Sequence, residues 1–144
     1  LTLLGISIAR TTSMEERMAG NTRDRDLAFQ AAEAALQDAN NDLPGFLAAL
    51  DPFDGTTPGL IDGTGAAHAN DQAYWNAYDW EDSSQEATAD PVGVASPPRY
   101  VIEKRPNTGA IPPTEHWRVT ARGVGASANT IVILQAGFER PPAP

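Results

Sequence analysis

The sequence predicts an α+β domain: one long N-terminal helix packed on a three- or four-stranded antiparallel sheet, with a long irregular αβ region between them. Three observations carry that expectation. The first 39 residues contain no proline and are rich in Ala, Leu, Met, Glu, Gln and Arg, all strong helix formers. Residues 40–98 are dense in Gly, Pro, Asn and Asp. The last third holds three apolar runs, one of them cleanly alternating.

The helix has three parts. Leu1-Thr2-Leu3-Leu4-Gly5-Ile6-Ser7-Ile8-Ala9 is apolar but about half the length that spans a bilayer. By composition it is either the tail of a membrane segment or a buried helical turn. The absence of Met at position 1 suggests a processed or truncated chain. The middle is dense in mixed charge: Glu15, Glu16, Arg17, Arg23, Asp24, Arg25 and Asp26. Glu15, Glu16 and Arg17 face Ala19, Gly20 and Asn21 at i+4, so they are available for pairs between subunits or form a solvated face. Gly20-Asn21 interrupts this stretch, and a helix-interior Gly costs about 1 kcal/mol relative to Ala. A joint or a simple flaw in propensity both fit. In the last part, Arg23, Asp26, Gln30, Glu33 and Gln37 form one narrow polar stripe. Leu27, Ala28, Phe29, Ala31, Ala32, Ala34, Ala35 and Leu36 fill the rest, so this half expects neighbours on most sides.

Residues 40–98 hold ten acids and no Lys or Arg, whereas the remainder holds nine acids and ten bases. The net charge of −9 is therefore local to one insertion-like region. That balance argues against nucleic-acid binding, which needs a basic face. Phe46-Leu47-Ala48-Ala49-Leu50 predicts a helical turn, and residues 71–80, with Tyr74, Trp75, Tyr78 and Trp80, predict a short helix packed through its aromatics. The same four rings are also candidates for a ligand or partner surface.

Arg99-Tyr100-Val101-Ile102-Glu103-Lys104 predicts the first main strand. Trp117-Arg118-Val119-Thr120-Ala121-Arg122 predicts the second, with Trp117, Val119 and Ala121 on one face. A turn is expected at Gly123-Val124-Gly125-Ala126-Ser127. Residues 129–138 form a strand apolar on both faces, hence central or covered on both sides. Residues 99–140 thus make the sheet and 141–144 a Pro-rich tail.

The chain has no cysteine, which excludes disulfides, thiolate zinc sites and a thiol nucleophile. His68 and His116 sit in no metal-ligand spacing, and Ser127 lacks a nucleophile elbow, so no enzyme is expected. Asp51, Asp54 and Asp62 stand on or beside Gly-rich turns and are weak calcium candidates, but their spacing fails the calcium-loop pattern and Asx-turns explain them without metal. No other cofactor is indicated.

The run Arg10-Thr11-Thr12-Ser13-Met14-Glu15-Glu16-Arg17-Met18-Ala19-Gly20-Asn21, followed by Arg23-Asp24-Arg25 and Ala28-Phe29-Gln30-Ala31-Ala32-Glu33-Ala34-Ala35-Leu36, resembles the N-terminal signature of PilX-type minor pilins of type IV pili. Residues 117–123 and 128–135 resemble that family's ending. The resemblance implies a pilin fold and a leader peptide cleaved by a dedicated peptidase. It also implies residence in the inner membrane with a periplasmic domain, with residues 1–9 the end of a transmembrane helix. The extracellular pilus, at its tip, is then the destination. Implied partners are other minor pilins, the major pilin and a PilY-type tip adhesin, with which the subunit primes filament assembly. The filament interface is then Leu3, Leu4, Ile6, Ile8, Met14, Glu15, Glu16, Arg17, Met18, Arg23, Arg25, Leu27 and Ala31, with Gly20 and Asn21 as its joint. A related pseudopilin family of type II secretion has calcium-binding members, which adds a little to the calcium reading. Two alternatives remain open: a minor pseudopilin of type II secretion, and an adhesive or ligand-binding pilus-tip module.

Overall fold

The computed structural model describes residues 2–48, 52–65, 71–89, 91–109 and 111–140, with the helix side chains described from Arg10 onward. Helix α1 (Thr2–Phe46) is followed by β1 (Leu60–Asp62), α2 (Gln72–Ala77), β2 (Gln85–Glu86), β3 (Arg99–Arg105), β4 (Glu115–Val124) and β5 (Ile131–Arg140). The expected α+β arrangement of one long helix on a sheet is present.

Helix α1 runs 45 residues, about 68 Å at 1.5 Å per residue. It extends seven residues past the predicted end at 39. The reason is that its buried stripe does not stop there: Ala28, Ala32, Ala35, Ala39 and Leu43 lie at helical spacing and are all buried, and Phe46 packs against the same core. Pro44 sits in the last turn, where the missing N–H ends the helix soon after. Gly20 and Asn21 are helical, and the helix runs through them unbroken.

The sheet order is β1-β3-β4-β5, with β2 also paired to β3. The β3–β4–β5 meander is antiparallel, as expected, but β1 runs parallel to β3, so the five-stranded sheet is mixed. Strand β4 continues through Gly123 to Val124, and the turn begins after it. Strand β5 corrects one expectation and meets another in part. It is an edge strand, not a central one, and its two faces are each covered only in part: Phe138 packs on the α1 side and Ile133 on the other, with none of its residues buried.

Alternation along the strands divides the core in two. Tyr100, Ile102, Trp117, Val119 and Ala121 meet α1. Val101 and Ile133 face the opposite way, toward Trp75 and Trp80. Full burial of such side chains contributes about 1.5–3 kcal/mol each. The region 40–98 is thus built into the body. It gives the last turns of α1, two short strands on β3, and an aromatic cover for the far face.

Candidate assembly interface

Two kinds of surface meet along α1. Every residue from 10 to 23 is exposed, so this part of the helix stands clear of the sheet. From Asp24 onward one face is buried. Met14, Met18, Arg25 and Phe29 fall at i, i+4, i+11 and i+15, one stripe of the cylinder. Met14, Met18 and Phe29 are exposed by 65%, 67% and 44% respectively, unusual for large apolar side chains in one row.

Of the interface residues expected from sequence, Met14, Glu15, Glu16, Arg17, Met18, Arg23 and Arg25 are all exposed, and Leu27 is half-buried. No ion pair joins Glu15, Glu16, Arg17, Arg23 or Arg25 to another of the described residues. Ala31 is the exception. It is fully buried beneath the chain's own sheet and has no surface to offer a second subunit. The side chains of Leu3, Leu4, Ile6 and Ile8 lie outside those described. No helix among the described residues is long and apolar enough to cross a membrane.

The docked half of α1 is held by close approach and by three aspartates. A Cβ built on Gly123 would lie 2.0 Å from the Ala28 carbonyl oxygen and 2.4 Å from the Ala32 nitrogen. Only Gly lets helix and strand backbones touch there. Asp24 Oδ1 accepts from the Ser127 N–H at 3.1 Å, beside Gly125. The Thr130 hydroxyl first, then the Ser127 amide, hold the Asp24 carboxyl below its ordinary value of 3.8. Asp38 accepts from the Ala89 N–H at 3.0 Å and from the Thr88 hydroxyl at 2.8 Å, and its carboxyl is lowered chiefly by the Ala89 bond. Asp42 accepts the Tyr100 hydroxyl at 2.6 Å; burial, then that bond, raises the phenol. Sequence reading missed these anchors because their partners lie 50 or more residues away.

The aromatics pack among themselves. Trp75 and Trp80 are only 2% and 6% exposed, which corrects their assignment to a partner surface. Tyr74 and Tyr78 are half-buried. Trp80 Nε1 donates to the Trp75 carbonyl at 2.9 Å, and Tyr78 donates to the Ser83 carbonyl at 2.6 Å. Burial, first of all, pushes the Tyr78 hydroxyl up to about 12 and raises that of Tyr74, with the Glu103 carboxylate adding to both. Glu103 is fully buried and takes the Arg118 guanidinium, Nε to Oε2 at 2.7 Å.

The acidic residues of 40–98 are largely occupied inside the chain. Asp54 Oδ1 accepts from the Thr56 N–H at 2.9 Å and Asp62 Oδ1 from the Thr64 N–H at 3.0 Å, each with the Thr hydroxyl as well. Those hydroxyls are the main reason both carboxyls fall below 3.8. The two line one groove, shared with the Lys104 cation, and no cluster of three metal-ligating side chains occurs among the described residues. Asp51 and His68 lie outside the described residues. Asp71 caps α2 through the Ala73 and Tyr74 amides, Asp79 accepts from the Asp82 N–H, and Glu86 pairs with Arg99. The charge of this region reflects turn chemistry more than a face awaiting a partner.

A helix exposed on all sides at one end and laid on a small sheet at the other defines a pilin-like structural subunit. Residues 1–37 match the PilX N-terminal family and residues 27–140 match the type IV pilus assembly protein PilX C-terminal family. The chain belongs to the PilX family of type IV pilus assembly proteins: it is a minor pilin, associated with the pilus in the cell envelope. No curated relative and no solved structure matches it.

Proposed function

We propose that this minor pilin primes type IV pilus assembly within a complex of minor pilins at the filament tip, in contact with the major pilin and beside a PilY-type adhesin. Before assembly it resides in the inner membrane, residues 1–9 ending the membrane helix, with its body in the periplasm. The observation that carries this reading is the undocked half of α1. A helix exposed on every side over residues 10–23 is not packed against the sheet among the described residues, and helical stability ordinarily comes from such packing. The Met14–Met18–Phe29 stripe supplies an apolar seam for neighbouring helices, and the unpaired charges around it set their register. Gly20-Asn21 lies within the undocked part and serves as the joint that lets the helix bend as it moves from membrane to filament.

Deleting the gene in its host should abolish surface pili, and the intact chain should restore them. The Met14→Asp/Met18→Asp variant should fail to restore them while its body melts at the unaltered temperature. Normal piliation in the deletion strain would refute priming. The adhesive-module reading is not favoured, because Trp75 and Trp80 face inward.

A further inference from the structure

The free edge of β5 is unusual in three respects. It is ten residues long, and nothing among the described residues pairs with its outer side. Its first six residues, Ile131-Val132-Ile133-Leu134-Gln135-Ala136, carry no charge and no proline. Natural edge strands are normally blunted by such residues, or covered. Third, grooves lie on both faces at the same register. On the α1 side a groove of about 510 Å³ is lined by Arg25, Phe29, Ile131 and Val132, among others. On the far side, clefts of about 420 and 520 Å³ share Trp75, Asn76, Ile131 and Ile133.

The second far-side cleft also contains Arg122. This guanidinium is half-buried on β4, directly across from Ile133, and has no ion pair or hydrogen bond to any described residue. Its cross-strand neighbour Arg99 is neutralised by Glu86, at 2.8 Å, whereas Glu81 influences Arg122 without pairing. Asp79 and Glu81 at the cleft rim are exposed and solvated, so the desolvated cation is the group with most to gain from a ligand. Burial lowers the Arg122 pKa, in keeping with an uncompensated charge.

We infer that the β5 edge takes an extended acidic segment of a partner polypeptide as an additional strand, with a carboxylate of that segment seated on Arg122. Main-chain hydrogen bonds along β5 supply the pairing, and alternate side chains of the added strand fall on opposite faces. One set meets the mixed groove formed by Phe29 and Val132 with Arg25 and Asp26, and the other meets the clefts under α2. A planar fork donating two bonds suits a carboxylate. A sugar is the poorer occupant, since the Trp75 and Trp80 rings offer no open face for stacking. This surface shares Arg25 and Phe29 with the α1 stripe that the assembly reading uses, whereas the clefts that hold Arg122 lie on the opposite face of the sheet.

The test is titration of the ¹⁵N-labelled chain with a peptide alternating valine and glutamate, and with one alternating valine and lysine. The glutamate peptide should shift the amides of Asn76, Ile131 and Ile133 saturably, and the lysine peptide should not. Arg122→Gln should weaken binding by at least about tenfold, and Arg122→Lys by less, with both variants melting like the parent. Equal response to the two peptides, an unaffected Arg122→Gln, or shifts confined to α1 would overturn the proposal. So would a neutral disaccharide that shifts those amides where the acidic peptide does not.

Discussion

The two faces of the sheet solve the same problem by opposite means. Against the sheet α1 offers small residues: five alanines, at positions 28, 31, 32, 35 and 39, are at zero exposure, and Gly123 lies against the first three. Backbone meets backbone, and there is no slack. On the far face the cover is bulk, two buried tryptophans and two half-buried tyrosines over the fully buried Glu103 and its partly exposed partner Arg118. The near face depends on the absence of atoms and the far face on the mutual neutralisation of two charges. Each should therefore fail to a different kind of substitution.

The largest effect is expected on the far face. Arg118→Ala takes the guanidinium from the fully buried Glu103 carboxylate, which should cost about 3 kcal/mol in urea unfolding. Replacing both members by Met and Leu should recover most of that loss. On the near face Gly123→Ala should cost about 3 kcal/mol, because the new methyl meets backbone atoms that no rotamer change can clear. Gly20→Ala, with nothing within 4 Å, should instead strengthen the exposed helix by up to about 1 kcal/mol. If both glycine variants behave alike, the close-approach account of the near face is wrong.

Acid sharpens the same comparison by a smaller amount. Asp24 and Asp38 anchor only the α1 face, and both have folded-state pKa values depressed below 3.8. Their contribution is complete above that value and is lost as the pH falls through the folded values. Melting temperature measured from about pH 6 down to about pH 2.5 should fall more steeply in the parent than in Asp24→Asn/Asp38→Asn.

Much of this was legible in the sequence. The helix and the three long strands follow from composition and alternation, and Trp117, Val119 and Ala121 share a face as their spacing requires. What could not be read is long-range. Strands β1 and β2 are three and two residues long, too short to show a period. Asp42 looked like the start of a loop, although Leu43 and Phe46 carry the helical stripe past it. Strand β5 is apolar on both faces, a pattern shared by central strands and by a partly covered edge. Ala31 shows that an alanine-rich helix gives no sign of which alanines its own sheet will take.

The three aspartate anchors lie at positions 24, 38 and 42 on one helix, spread over about 27 Å of its axis. Tension applied along α1 from its undocked end acts on them in shear, so they and the alanine–glycine seam must yield together. A sideways pull would peel them one at a time, beginning at Asp24. The body is accordingly fastened to resist force in the direction of the helix axis, the direction in which a filament is drawn.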